Sequence, residues 1–346
     1  MNKKIGFIAV GQAGGNIGKL FEEKGYRVLY LNTSLEDLDT LQNVKYKHHI
    51  AHGEGCNKDR KKAKQLIIDD YDNIAQEIDS KIDTDMIFVI FSTGGGTGSG
   101  SAPMLIDLLT DDDEDRKVGA VTILPSPSES LKAQMNTYEA MKELVAINTS
   151  CACFILDNNN GDKMKLNKKF VESFDKFITI PNRDKDSRGV IDKAEIMETL
   201  RAHGMAYVLE SEPGTAPIIS KIDKKIFAPT DGDQVVKYIA ASIAGDADIA
   251  DIQRSVGTPL DTFITYNSKE TICCISGMSY PHERLDNVYK KVAESKDTVL
   301  KNLKSTTESS MKDDVDFLGE VQSNKSIKED HKPKSKRDIM NKYLKK

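Results

Sequence analysis

The sequence predicts an α/β protein with a Rossmann-like, mainly parallel sheet, and three observations carry that expectation. Short β-branched or apolar runs alternate with helical or polar segments, glycine-rich loops directly follow two of those runs, and two longer stretches keep helical apolar spacing. With 346 residues, 38% hydrophobic and 30% charged, the chain can bury the cores of two domains. A net charge of −5 is too small to mark the whole surface for nucleic acid.

Ile5–Val10, Val28–Leu31, Met86–Phe91, Val118–Leu124 and Cys153–Leu156 read as buried strands of βαβ units in a first domain over residues 1–165. The opening MNKKIGFIAV is basic and then apolar, as in a signal peptide. The apolar stretch is short and glycines follow at once, so a first strand is expected instead. No apolar run approaches the ~18 residues that cross a bilayer, so no membrane association is expected. Leu166, Phe170, Phe174, Phe177 and Ile178 share one helical face and predict a central helix opening a segment over 166–204. Strand candidates at Ala206–Leu209, Thr262–Tyr266 and Thr271–Ser276 predict a second, smaller α/β domain over 205–280. Pro281 opens a long helix over 281–304, with an apolar stripe that includes Leu285, Val288 and Val292. The composition then turns to Ser, Thr, Asn, Lys and Asp, which predicts a flexible tail over 305–346, basic from Lys325 onward. The cysteines, Cys56, Cys151, Cys153, Cys273 and Cys274, are odd in number and form no CxxC pair. That pattern suits reduced thiols in a cytoplasmic protein.

The strongest local signal is Phe91-Ser-Thr-Gly-Gly-Gly-Thr-Gly-Ser-Gly100, between an apolar strand and an apolar helix expected over Ala102–Leu109, with Pro103 suited to its first turn. Gly94, Gly95, Gly96, Gly98 and Gly100 let the backbone approach a ligand and turn its N–H groups inward. Thr97 and Ser99 add hydroxyls, and the helix adds a partial positive charge. This is a di- or triphosphate cradle without the lysine of a Walker A loop. A second loop, Gly11-Gln-Ala-Gly-Gly-Asn-Ile-Gly18, also follows a strand.

These two loops, in this order, resemble the signature GGGTGSG and the GQxGxxxG of the tubulin/FtsZ superfamily, and further segments match along roughly residues 3–300. The resemblance implies a GTP-binding domain over 1–165, a C-terminal activation domain, and GTP with Mg2+ as ligands. It puts Gly11, Ala13 and Gly14 on the phosphates, Gln12 near phosphate and metal, and Asn16 on the guanine edge. Asn32 and Thr33 correspond to the second loop. Gly55, Cys56 and Asn57 lie in the third, which senses the γ-phosphate; Glu54 and Cys56 replace small residues of the FtsZ form. Pro125–Glu129 resembles the loop that brings a glutamate, here Glu129, to the ribose; Ala133 stands where FtsZ has an arginine. Phe170 is expected to stack on guanine, with Asn158 or Asn167 as amide partner, although such asparagines also serve plain turn chemistry.

Gly189-Val-Ile-Asp192-Lys-Ala-Glu195 resembles the loop that one subunit inserts into its neighbour's nucleotide site, with Val190 where FtsZ has asparagine. Asp192 and Glu195 would orient the attacking water and help hold a cation, which is what phosphoryl transfer chiefly needs. The same spacing also describes a capping box, and the two readings are compatible. His48, His49 and His52 lack a fourth ligand of suitable spacing and suit a loop; Asp111–Asp115 suits a solvated turn.

Ile275–Pro281 with the long helix resembles the TubZ branch carried by plasmids and phages. The resemblance implies a head-to-tail filament whose GTP is hydrolysed between subunits, and a tail that engages a DNA-bound adaptor. An FtsZ-like division or scaffold polymer is the alternative. A dinucleotide-dependent oxidoreductase would use Gly11–Gly18 but has Asn16 where a glycine is needed, and leaves GGGTGSG unexplained.

Overall fold

A computed structural model describes residues 4–113, 115–232, 235–307 and 336–344. The first half runs β1 (Ile5–Val10), α1 (Gly11–Glu23), β2 (Arg27–Asn32), α2 (Leu35–Thr40), β3 (Tyr46–His49), α3 (Arg60–Lys81), β4 (Met86–Ser92), α4 (Thr97–Asp112), β5 (Lys117–Leu124), α5 (Leu131–Val145) and β6 (Ala152–Asp157). The second half runs α6 (Lys163–Arg183), α7 (Lys193–Arg201), β7 (Gly204–Ser211), α8 (Thr215–Asp223), β8 (Val235–Ala244), α9 (Ile249–Val256), β9 (Thr258–Asn267), β10 (Thr271–Met278), α10 (His282–Thr307) and α11 (Lys336–Leu344).

All described strands form one ten-stranded sheet, ordered β3-β2-β1-β4-β5-β6-β7-β10-β8-β9. Every pairing is parallel except those of β10, which runs antiparallel to β7 and β8. The expected second domain therefore has no sheet of its own. β7 adds directly to β6, with Cys153 opposite Met205, and the sheet continues outward from there.

The expected strands are all present, β1 among them. β1, β4, β5 and β6 are buried almost throughout, as strands covered on both faces must be. α6 buries Leu166, Phe170, Phe174, Phe177 and Ile178 as its spacing predicts. Phe174 meets Phe21 at 5.4 Å, Phe88 at 5.6 Å and Phe154 at 5.5 Å between ring centroids, so one aromatic cluster joins α1, α6 and the central strands. Each such ring contributes roughly 1.5–3 kcal/mol by burial. A buried ion pair, Arg284 Nε to Asp157 Oδ2 at 2.6 Å, ties α10 to the end of β6; Arg284 also donates to the Pro125 carbonyl at 2.8 Å.

Two expectations need correction. α4 begins at Thr97, not near Ala102, so Pro103 lies in its second turn. The tail is not uniformly unstructured: 336–344 is helical and packs on α3 and α4, burying Ile339 and Tyr343. The rest of the expected tail after Thr307 lies outside the described residues. Among the described residues no helix is long and apolar enough to cross a membrane. The five cysteines are unpaired and buried.

Candidate functional site

Strand order reverses between β1 and β4, and ligands of open α/β sheets bind beyond the strand ends at such a point. There the first residues of α1 and α4 line one cavity of about 550 Å³. Most other helix starts are closed by their own side chains. Ser34, Asp59, Ser130, Asp162, Asp192 and Asp248 accept bonds from the first turns of α2, α3, α5, α6, α7 and α9. α1 and α4 have no such cap, so their first N–H groups remain open toward the cavity. (α8 also starts uncapped, at Gly214, but does not line this cavity.) Two uncapped, partly positive helix ends in one cavity make a site for a multiply charged anion.

Glycine is required here by close approach. A Cβ on Gly96 would stand 2.8 Å from the Lys58 nitrogen and 2.9 Å from Cys56 Cβ, so only glycine lets the two loops touch. Gly11 turns from β1 into α1 with φ +72°, the left-handed region that favours glycine. Ser99 lies beneath the cavity wall: its hydroxyl donates to the Gly95 carbonyl at 2.5 Å. Pro103 has no N–H to give the Ser99 carbonyl its helical bond. Arg60 supplies the missing donors, Nη2 at 3.0 Å and Nε at 3.3 Å, and so props the first turn of α4 from outside.

Of the predicted residues, Gly11, Gln12, Ala13, Asn16, Asn32, Gly55, Cys56 and Asn57 line the cavity on one side. Gly94, Gly95, Gly96, Thr97, Gly98, Glu129, Asn158 and Asn167 complete it. Three others stand just behind the wall. Gly14 packs α1 against β4, where a Cβ would meet the Ile90 carbonyl at 2.4 Å. Thr33 bonds Thr97 Oγ1 at 2.7 Å and Cys56 Sγ at 3.3 Å, so the Cys56 substitution is absorbed as a buried contact between loops. Ser99 is the third.

Phe170 is a correction. It is 1% exposed, lies against Phe154 at 5.5 Å and Phe227 at 5.8 Å, and does not reach the cavity. Because α6 starts at Lys163, its exposed first residues Lys163 and Met164 reach the cavity instead, with the buried Asn167 one turn on. Sequence reasoning missed Lys163 and Met164, and also Ser34, Asp37 and Lys58. Asp162, capping α6 through the Lys165 nitrogen at 2.9 Å, was the available signal for the first pair. The cradle accordingly has lysines, though not in the Walker A position. Lys58 follows Asn57 with both residues at positive φ, 60° and 42°, and its Nζ donates to Ser130 Oγ at 2.7 Å.

Glu129 Oε1 accepts from the Ser126 nitrogen at 3.2 Å, Lys163 Nζ at 3.0 Å and Asn158 Nδ2 at 3.5 Å. Burial pushes its pKa up, but the bonds from Lys163 and Ser126 outweigh that and hold it below the ordinary carboxylate value. Asp37 accepts from Asn32 Nδ2 at 3.2 Å and is a carboxylate on the cavity wall.

Asp192 and Glu195 do not line this cavity. They form a complete capping box: Asp192 Oδ1 accepts from the Ala194 and Glu195 nitrogens at 2.7 and 2.9 Å, and Glu195 Oε2 accepts from the Asp192 nitrogen at 2.8 Å. The preceding loop is pinned to β9, where Thr265 Oγ1 donates to the Gly189 carbonyl at 2.9 Å and Arg188 lies over the Tyr266 ring at 4.1 Å. His48 and His49 are on strand β3 rather than in a loop; His48 bonds Asp70 at 2.7 Å and His49 the Gly53 carbonyl at 2.8 Å. No metal-binding group of three or more His, Cys, Asp or Glu exists among the described residues.

This geometry agrees with comparisons to known proteins. Residues 4–164 match the Tubulin/FtsZ family GTPase domain. The tubulin-like protein TubZ of Clostridium botulinum C phage is 29% identical over 362 residues, covering 99% of this chain and 100% of that protein. The crystal structure of Clostridium botulinum phage c-st TubZ superposes with TM-score 0.78 at 27% identity, covering 86% of this chain and 100% of that one. A GTPγS-form protofilament of Bacillus thuringiensis serovar israelensis TubZ shares the fold, with TM-score 0.74 at 15% identity over 87% of this chain and 94% of that one. A parallel sheet in this order, two uncapped helix ends at its switch point and the GGGTGSG segment at the β4–α4 junction thus coincide with the matched region, and residues 4–164 carry a GTPase domain of the Tubulin/FtsZ family.

Proposed function

We propose that this chain is a GTP-dependent, filament-forming GTPase that hydrolyses GTP between adjacent subunits of a head-to-tail polymer and moves or positions plasmid or phage DNA. One observation carries the shared site. The anion cradle at α1 and α4 is built without Asp192 and Glu195, which stand exposed or half-exposed on α7 outside the cavity. A neighbouring copy would bring that pair to the γ-phosphate. The names of the relatives, a phage TubZ and a TubZ protofilament, support the polymer and a phage or plasmid setting.

Within the cleft, the N-termini of α1 and α4 hold the phosphates, Glu129 takes the ribose hydroxyls, and Asn16, Asn158 and Asn167 offer amide edges to guanine. Met164, 61% exposed at the cavity mouth, supplies the apolar face that Phe170 cannot. Magnesium takes one or two carboxylates with phosphate and water, a donor set that Asp37 and the Gln12 carbonyl fit. When bound, the ion would neutralise charge on the β- and γ-phosphates. The basic tail would engage a DNA-bound adaptor, with an affinity that weakens as salt rises, inside the cytoplasm of the host cell.

Electron microscopy of the purified protein with GTP, GDP or neither tests the reading, alongside phosphate release measured across protein concentration. Filaments that require GTP, and specific activity that rises from near zero above a critical concentration, are expected. Activity linear down to the lowest concentrations would mean a self-contained site.

A further inference from the structure

The face formed by α3, α4 and α5 lies behind the phosphate cradle, and the C-terminal helix is seated on it. Ile339 is 3% exposed and Tyr343 2% exposed, although α11 is a short, basic segment at the chain's end. Their contacts are specific. Lys342 Nζ pairs with Asp107 at 2.9 Å and the Tyr343 hydroxyl donates to the same carboxylate at 3.2 Å. Lys64 Nζ donates to Glu143 at 2.6 Å, reaches the Tyr343 carbonyl at 3.5 Å and stands 5.3 Å from the centre of its ring.

The same charged cluster touches the cradle. Glu143 accepts Lys64 on one oxygen and Arg60 on the other, at 2.5 Å. Arg60 in turn holds the Ser99 carbonyl that Pro103 leaves without a helical donor. A continuous line of contacts therefore runs from Tyr343 through Lys64, Glu143 and Arg60 to the first turn of α4, whose N–H groups face the cavity. The pairs at Glu143 are buried, where charge interactions are screened least.

We propose that the α3–α4–α5 face is a binding groove for the chain's own C-terminal helix, and that seating this helix strengthens nucleotide binding by bracing Arg60 against Ser99. This rests on reading the cleft as the nucleotide site. On this proposal the last helix is part of the support of the phosphate loop. Coupling between two sites is reciprocal, so nucleotide must tighten docking by the same factor.

The test uses the full chain carrying Ile339→Asp and Tyr343→Ala, which leaves the tail present but removes its anchors. Affinity for a fluorescent GTP analogue, measured below the polymerisation threshold, should fall roughly 5-fold or more relative to wild type. A peptide spanning Ser335–Lys346, added in trans, should bind the doubly substituted chain, restore that affinity, and bind more tightly when nucleotide is present. A control peptide with the same two replacements should do neither. Unchanged nucleotide affinity in the substituted chain, or a peptide that binds without restoring it, would overturn the coupling. Failure of both peptides to bind would overturn the groove. Wild-type protein that binds no nucleotide would instead overturn the reading of the cleft. Full-chain Lys64→Met, which disturbs the groove from the other side, should reproduce the loss if the substituted tail proves poorly soluble, and wild-type affinity there counts equally against the coupling.

Discussion

The N-termini of α4 and α7 meet the same physical problem, four backbone donors with no helical acceptor, and answer it differently. α7 closes itself: Asp192 and Glu195 satisfy its first turn and each other's backbone. α4 has no cap, carries Gly98 and Gly100 in its first turns, and is propped from outside by Arg60. Glycine in a helix costs about 1 kcal/mol relative to alanine, so the α4 start is held at the expense of local stability. An open helix end suits a ligand that supplies the missing acceptors. A closed one suits a rigid presentation of its carboxylates. In α7 only Asp192 Oδ1 and Glu195 Oε2 serve the cap, which leaves Asp192 Oδ2 and Glu195 Oε1 for another task.

Gly96→Ala should break the open end most severely. The added Cβ meets backbone at 2.8 Å, not the yielding end of a side chain, so the third loop must move away from the cradle. Nucleotide affinity is expected to fall roughly 100-fold or more, as displacements near 1 Å do to a positioned site. Isothermal titration with GDP measures it, and near-wild-type affinity would mean that the loops do not share a ligand.

Glu195→Gln addresses the closed end. Glutamine still serves a capping box but cannot polarise water. Filaments should assemble with GTP and persist, while phosphate release per assembled subunit falls roughly 100-fold. Wild-type turnover in those filaments would leave Glu195 a purely structural residue.

The same contrast explains what could be read in the sequence. The cradle was legible because close approach and backbone conformation restrict residue choice: Gly96, Gly98, Gly100 and Gly11 admit few alternatives, and the strands feeding them are apolar almost without interruption. Asp192 and Glu195 were visible, but capping and catalysis ask for the same two carboxylates at the same spacing, so pattern alone could not separate them. Phe170 was misassigned because a buried face repeating along α6 looks the same whether its first ring meets a base or the core. The difference is a helix start three residues earlier than the apolar pattern, at Lys163 rather than Leu166. β3 and β8 went unseen for a related reason. Tyr46–His49 carries two histidines and a lysine at a sheet edge, and Val235–Ala244 is rich in alanine, so neither shows strand alternation. The final helix was hidden by composition, since only Ile339, Met340, Tyr343 and Leu344 stand among its polar residues, and two of them suffice as anchors.

Lys58→Met sharpens the comparison with a smaller effect. Lys58 lines the cavity on the loop that touches Gly96, and its ammonium donates to Ser130 Oγ. A cation there should favour the more highly charged nucleotide. Loss of one charged hydrogen bond is worth about 1.5 kcal/mol, or roughly 10-fold in the preference for GTP over GDP. Competition titration of the two nucleotides against one fluorescent probe measures that ratio, and an unchanged ratio would remove Lys58 from phosphate recognition.

The smallest effect is expected at Glu129, one of the two carboxylates that share the cavity with the open helix ends. Its pKa lies below the ordinary value because the bonds from Lys163 and Ser126 outweigh the opposing effect of burial. A group whose folded pKa is depressed contributes stability that is fully present above its unfolded pKa, near 4.3, and is lost as pH falls through the folded value. Since the side chain is 33% exposed, water screens much of the interaction. Glu129→Gln keeps an acceptor oxygen but no charge for Lys163. Without nucleotide, the variant should therefore melt about 1–2 °C below wild type at neutral pH. That gap should hold from pH 7 to about 5 and close below about 4 as the wild-type carboxyl takes up its proton. Melting curves of both proteins across this range decide the matter. A gap that stays constant into strong acid would show that the charge of Glu129 contributes nothing before the sugar arrives, and its place in the site would rest on ribose recognition alone.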